Sequence, residues 1–528
     1  MKKILVVLAV FFLTVFSFSV AMAAQKGELR IGNGAEPESL DPALMQGVLE
    51  HRISTALFEN LTTVNPKDAS PLPALAKSWD ISKDGKTYTF HLRKTTWSDG
   101  VPVTAQTIVK SWLRVLDPKT AAPYAWFPAM FIAGAEAFNG GKNADPNSVK
   151  IKAVDDLTFQ MELVGPLPYV LGALEHHAFS LVPMHVVEKF GKDWTLPGKM
   201  VSNGPFMLET WKPQEKLTVV PNPKYWGKDK VKLARIIYFP IDDNNTAHKM
   251  FLNGELDWTD TIPLDQIEAA LARDDSYNAP YLGTYYYVFQ NEKKPFNDPK
   301  VRKALSITIN RKDLTKKVTK AGEIATYVMV PPMAGYTNVL GNKEDIERAK
   351  KLLAEAGFPG GKGFPKFELM YNTNEAHKKI GEYIQQQWKE NLGIECTLAN
   401  QEWKTYLANK NAGSFEIARA GWIGDYQDPN TFLDMFMTGG AMNGGKYSNK
   451  EYDALLKQAA EGLDKKGKLL KASERMALLS KAEDLFITQD QGIMPIYHYV
   501  NKGMISKKVV GWYTNVMNLH PFNNVSIK

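Results

Sequence analysis

Cysteine is almost missing: Cys396 is the only one in 528 residues. That excludes an intramolecular disulfide framework and any cysteine-based zinc cluster. A dominant sign of charge is missing too, since 64 Lys and Arg stand against 57 Asp and Glu, a net +7. No Lys/Arg block stands out, so nucleic-acid binding has no support. The nine histidines are scattered and form no His-Glu-x-x-His. Their one adjacent pair, His176-His177, reads as surface or second-layer packing. There is no Gly-x-Ser-x-Gly, hence no nucleophile elbow, although spacing alone does not exclude a Ser-His-Asp triad. Gly440 to Lys446 reads Gly-x-x-x-x-Gly-Lys, but Tyr447 stands where a phosphate loop needs Ser or Thr. No metal and no cofactor is expected. Past the first 23 residues, no run approaches the roughly 18 apolar residues of a membrane span.

What is present is an ordinary globular mix, 44% apolar and 23% charged, which rules out disorder as the main state. The length predicts about three domains. Lys2 and Lys3 precede an uncharged run over residues 4–20, and Ala21-Met22-Ala23 follows. That pattern predicts a secretory signal peptide, residues 1–23, cut after Ala23. No cysteine lies near the cut, so no lipid anchor is expected. Export without an anchor suits the periplasm of a two-membrane bacterium. A lone thiol there should be buried, and Ile394, Cys396 and Leu398 would share one strand face.

Strand and helix patterns alternate along the chain. Residues 29–31 read as a short strand. At 87–93, Tyr88, Phe90 and Leu92 point one way and Thr87, Thr89 and His91 the other. Asp84-Gly85 before them is a hairpin turn signal after a Trp79/Ile81 strand. Ile346, Ala349, Leu352, Leu353 and Ala356 form a helical stripe that stops at Gly357. Residues 367–371 read as a strand. Asn372-Thr373-Asn374 then offers caps for a helix with Ile380, Ile384, Trp388 and Leu392 inward. The strand holding Cys396 completes a βαβ unit. Residues 416–422 read as the next strand, and Asp428-Pro429 as the start of another helix. The expected fold class is α/β, with at least two lobes and a ligand crevice between them.

Several blocks together resemble the bacterial periplasmic oligopeptide-binding proteins, the solute-binding subunits of peptide ABC importers. Pro73-Ala74-Leu75-Ala76-Lys77-Ser78-Trp79, Asp84 through Arg93, and Trp97-Ser98-Asp99-Gly100 resemble the superfamily signature. Tyr371-Asn372-Thr373, His377-Lys378-Lys379, Asn400 through Thr405, and Arg419-Ala420-Gly421-Trp422 with Asp425-Tyr426 are similar to the oligopeptide branch. The resemblance implies a three-lobed fold with mixed sheets and a hinged cleft between two large lobes. Lobe I would be discontinuous, at residues 24–58, 184–282 and 495–528. Lobe II would span 59–183 and lobe III 283–494.

The same resemblance implies the binding residues. Asp425 would pair with the ligand's α-ammonium. Gly421, Trp422 and Ile423 would offer main-chain contacts to an extended peptide, with Gln46, Gly47 and Val48 opposite. Arg419, His377 and Lys410 would meet the ligand's carboxylate at different peptide lengths, Lys410 standing where Arg is common. His377 would also sit in a helix first turn, where free N–H groups favour an anion. Tyr124 is carried over more weakly. Some relatives have cysteines in place of Gly283 and Ile423, joined across the hinge; both are absent here.

The function implied is capture of short peptides, largely independent of side chains, by a monomer that delivers them to an inner-membrane ABC permease. A specialist for cell-wall peptides or dipeptides is an alternative on the same fold, and Asp425 argues against nickel. An exported α/β hydrolase is the alternative from another class.

Overall fold

A computed structural model describes residues 27–528 apart from Lys465; the signal peptide expected at 1–23 lies outside the described residues. The chain begins with β1 (Glu28–Gly32) and α1 (Val48–Leu57). Four strands then form an antiparallel sheet of their own: β2 (Ala76–Ile81), β3 (Thr87–Leu92), β4 (Ile151–Asp155) and β5 (Thr158–Glu162), in the order β2-β3-β5-β4. The alternation at 87–93 builds it. Tyr88, Phe90 and Leu92 are buried. Phe90 packs toward Phe159 of β5, which Trp112 of α2 (Ala105–Leu116) meets edge-on at 5.0 Å.

The main sheet has eleven strands. Nine follow in chain order: β6 (Phe206–Lys212), β7 (Lys216–Pro221), β8 (Arg235–Phe239), β9 (Trp258–Thr259), β10 (Ser276–Phe289), β11 (Glu368–Asn372), β12 (Thr397–Gln401), β13 (Ile417–Ile423) and β14 (Ile493–Ile505). Their order is β6-β7-β8-β1-β9-β14-β10-β13-β11-β12, with the two-residue strand Ile324–Ala325 beside β14. β1 and β8 pair parallel, as do β11 and β12, whereas β10 pairs antiparallel with both β13 and β14. The sheet is therefore mixed. β10 and β14 are its long central pair, and their register breaks between Pro280 and Thr284. Before the break the pair adjoins β9; after it, β13. Gly283 and Ile423 are direct partners in the β10–β13 ladder and face each other.

α3 (Ile346–Glu355) buries Ala349 and Leu353 of its stripe but leaves Ile346 exposed at its first turn. α4 (Glu375–Leu392) buries Ile380, Ile384, Trp388 and Leu392. Asn374 caps it, accepting from the Ala376 N–H at 2.9 Å, and Gly393 ends it in the left-handed region at φ +68°. Cys396 is buried, yet it lies just before β12 rather than on it. Burial pushes its thiol up to about 12. Asp428-Pro429 opens only a four-residue 3-10 turn, Pro429–Phe432, not the expected helix. Residues 428–436 are buried throughout, so the segment threads the core and has no solvent face to balance an amphipathic helix.

Candidate functional site

α5 (Trp403–Ala412) packs beside β13, and a cavity of about 150 Å³ opens between them, α1 and residues 175–177. β13 is paired with β10 from end to end, but on its other side β11 pairs only with Ile417 and Ala418. Residues 419–423 therefore keep one free edge. The Gly424 N–H donates to Leu282 O at 2.9 Å, on the β10 side. Main-chain polar groups alternate along a strand, so Gly421 and Ile423 turn theirs to the free edge. Arg419 does the same, and its carbonyl accepts from the Tyr406 hydroxyl of α5. Trp422 turns its main chain toward Thr284 instead. Its indole N–H is buried without a partner, beside Tyr124, whose ring lies parallel at 6.4 Å. Opposite, Gly47 is extended (φ −112°, ψ 163°) and no side chain caps α1. Gln46 reaches across, accepting from Asn411 Nδ2 of α5 at 2.5 Å.

One end of the cavity is acidic. Asp425 follows β13, its main-chain N–H donating to Thr431 Oγ1 at 3.0 Å. Its Oδ2 is buried and has no partner among the described residues. Burial holds its carboxyl well above the usual carboxylate range, and Asp434 and Glu175 add to this. A group so placed calls for a cation: a desolvated carboxylate is costly until a positive charge meets it.

The other end is basic. Arg419 donates through Nη1 to Asn372 Oδ1 at 3.2 Å and through Nη2 to the Tyr499 hydroxyl at 2.8 Å. Its guanidinium lies 4.7 Å from the Tyr285 ring centroid, and its Nε is buried and unpartnered. No carboxylate pairs with it among the described residues. Lys410 lines the same cavity, and burial, then the charge of Arg419, bring its ammonium down to about 8. Among the described residues, both cations thus stand without an acidic partner.

Of the ten residues expected from the sequence, nine line this cavity: Asp425, Trp422, Gly421, Ile423, Arg419, Lys410, Gln46, Val48 and Tyr124. His377 is not in its wall. Its Nδ1 lies 3.3 Å from the Tyr285 hydroxyl, behind Arg419, and burial holds the ring well below its usual value. It is in the first turn of α4 as expected. The N–H groups there are not free, because Asn374 accepts from both Ala376 and His377. The His176-His177 pair is not at the surface, and it does more than pack. Both are buried and both line the cavity, with His176 Nε2 3.5 Å from Asp425 Oδ1. Adjacency in sequence concealed this, since the pair sits on a 3-10 turn, His177–Phe179, not on a helix face. The loop at 440–446 is no phosphate cradle: Asn443 Nδ2 ties it to the carbonyls of Phe436, Met437 and Tyr447.

Fold and cavity define a solute-binding protein. The family model for bacterial extracellular solute-binding proteins, family 5, matches residues 70–444. The periplasmic oligopeptide-binding protein OppA of Escherichia coli is 38% identical over 93% of this chain and 90% of its own. A crystal structure of Haemophilus influenzae OppA in complex with RPPGFSPFR matches with a TM-score of 0.90 at 34% identity, covering 96% of this chain and 99% of that one. The E. coli murein tripeptide binding protein MppA, 37% identical, gives 0.90 in one structure, over 96% of this chain and 99% of that one. Its unliganded open form gives 0.64, over 96% and 98%. The chain belongs to the family 5 solute-binding proteins. Its parts are arranged unlike the unliganded open form of MppA.

Proposed function

We propose that this protein captures short peptides in the cavity beside β13 and delivers them to an inner-membrane ABC permease. The observation that carries the reading is the free edge at Gly421 and Ile423, with Asp425 Oδ2, unpartnered among the described residues, at one end and Arg419 and Lys410 at the other. An extended peptide adds to such an edge through its main chain, which is the same for every sequence. Its ammonium meets Asp425 and its carboxylate meets the cations. Trp422, Tyr124, Gln46 and Val48 line the space for side chains. His377 acts through Tyr285 rather than by contact.

Lobe I at 24–58, 184–282 and 495–528, lobe II at 59–183 and lobe III at 283–494 fit the separate sheet β2–β5 and the register break at Pro280/Thr284. Closure of lobe III on lobe I encloses the ligand. The protein works as a monomeric binder without catalysis, exported to the periplasm after cleavage at Ala23; no helix among the described residues is long and apolar enough to cross a membrane.

Calorimetry with free and N-acetylated peptides tests this. Asp425→Ala should weaken free peptides by roughly 2–5 kcal/mol, because a buried ammonium loses its partner. Acetylated peptides should bind wild type poorly and lose little more. Equal binding of both forms by wild type overturns the assignment.

A further inference from the structure

Asp425 must present one oxygen to the ligand while its other oxygen is held. His176 stands at that other oxygen, its Nε2 3.5 Å from Asp425 Oδ1, while Oδ2 is left without a partner. Which ring nitrogen carries the proton follows from the main chain. His176 is the N-cap of the 3-10 turn His177–Phe179, and its Nδ1 accepts from the Ala178 N–H at 3.3 Å. A nitrogen that accepts carries no proton, so a neutral ring bears it on Nε2, facing Asp425. Burial, then His177 and His51, hold the ring well below its usual value, which favours the neutral form.

The backbone that carries the ring is anchored. Asn60 Nδ2 donates to the carbonyls of Leu174, Glu175 and His176 at 2.7–3.1 Å. The Trp112 indole of α2 donates to Phe179 O at 2.9 Å. Tyr124 and Phe127 close on the imidazole at ring-centroid distances of 4.8 and 4.7 Å.

We propose that His176 is a positioning residue of the ammonium site: it aims a tautomer-fixed Nε2–H at Asp425 Oδ1, so that Oδ2 is presented to the ligand's α-ammonium. The inference rests on the reading of Asp425 as the partner of that ammonium. A donor that cannot accept also keeps the ammonium from turning to the histidine, which leaves the carboxylate as its one anchor at this point.

Two substitutions separate positioning from structure. His176→Asn places an oxygen near the Nδ1 position and nothing at Nε2, so it keeps the turn's cap and removes the donor. His176→Gln extends an amide N–H to the Nε2 position and restores it. Calorimetry with trialanine is the probe, and melting temperatures check that each variant folds. His176→Asn should bind about tenfold more weakly, because the 3.5 Å approach of Nε2 becomes a hydrogen bond to the carboxylate once the ligand ammonium ionises it, and His176→Gln should recover most of that loss. In an Asp425→Asn background the further effect of His176→Asn should vanish, as a double-mutant cycle requires of coupled groups. Wild-type binding by His176→Asn, or an undiminished loss in the Asp425→Asn background, overturns the assignment of His176. Wild-type binding by Asp425→Asn alone overturns the ammonium reading itself. A loss in His176→Gln equal to that in His176→Asn makes the ring a packing residue and overturns the positioning role.

Discussion

The indole N–H of Trp403 donates to the carboxylate of Glu50 at 3.3 Å, joining α5 to α1 beside the cavity. Glu50 is fully buried, its Oε1 also accepts from the Glu38 N–H at 3.0 Å, and its Oε2 has no partner among the described residues. Burial raises its carboxyl to about 7. Gln46, bonded to both Glu38 and Asn411, makes a second bridge, from α5 to the segment just before α1.

These bridges should bias the protein toward closure. Trp403→Phe keeps the ring and removes the donor, at a cost of about 1 kcal/mol to the closed form. Affinity should fall by the same factor for every peptide, whatever its length. Small-angle scattering should show a larger radius of gyration for the variant without ligand, and an unchanged curve counts against the bridge.

Binding should release protons in acid solution. The carboxyl of Asp425 is raised in the free protein, by burial first and then by Asp434 and Glu175. The His176 ring, held well below its usual value, and the Tyr124 hydroxyl also face it. A ligand ammonium favours the charged form and lowers the value again. Affinity should therefore rise with pH until the free-protein carboxyl is ionised. Calorimetry in two buffers of different ionisation enthalpy reads the release, and Asp425→Asn should abolish it.

The alkaline limb should belong to Lys410. Its ammonium, at about 8, loses its proton in the free protein as pH rises, while a bound carboxylate would hold it. Affinity should fall above about pH 8, with proton uptake on binding. Lys410→Arg stays charged and should flatten this limb; an unaltered profile means that Lys410 does not meet the carboxylate.

Peptide length should separate the cations. Each added residue moves the carboxylate by about 3.3 Å along the free edge of β13. In a matrix of di- to pentapeptides, Arg419→Ala and Lys410→Ala should each penalise one length most. His377→Ala should act through Tyr285 and Arg419, following the Arg419 profile at smaller amplitude. Equal losses at every length would make all three structural.

Asp428 and Arg475 form a buried bidentate pair at 2.8 and 2.9 Å, just past the end of the site. Asp428→Ala leaves the guanidinium buried and unpaired, which should cost roughly 3–5 kcal/mol. Chemical denaturation measures it, and a loss below about 1 kcal/mol would show that water reaches Arg475.

The local elements were legible from the chain because their causes are local. The alternation at Tyr88, Phe90 and Leu92, the inward run Ile380 to Leu392 and the cap at Asn374 each need only neighbours a few residues away. Of the ten residues that the family resemblance implies, nine line one cavity. Tertiary structure decided the rest. Whether β13 keeps a free edge depends on where β11 ends, and the parity of its main-chain groups depends on its ladder with β10. Neither is encoded within the strand itself. The weight of Asp425, Glu50 and Lys410 comes from desolvation, which exists only once distant segments close over them. His176 was passed over for the same reason: next to His177 in sequence it has no periodic signal, and only the fold turns its Nε2 toward a carboxylate from another part of the chain.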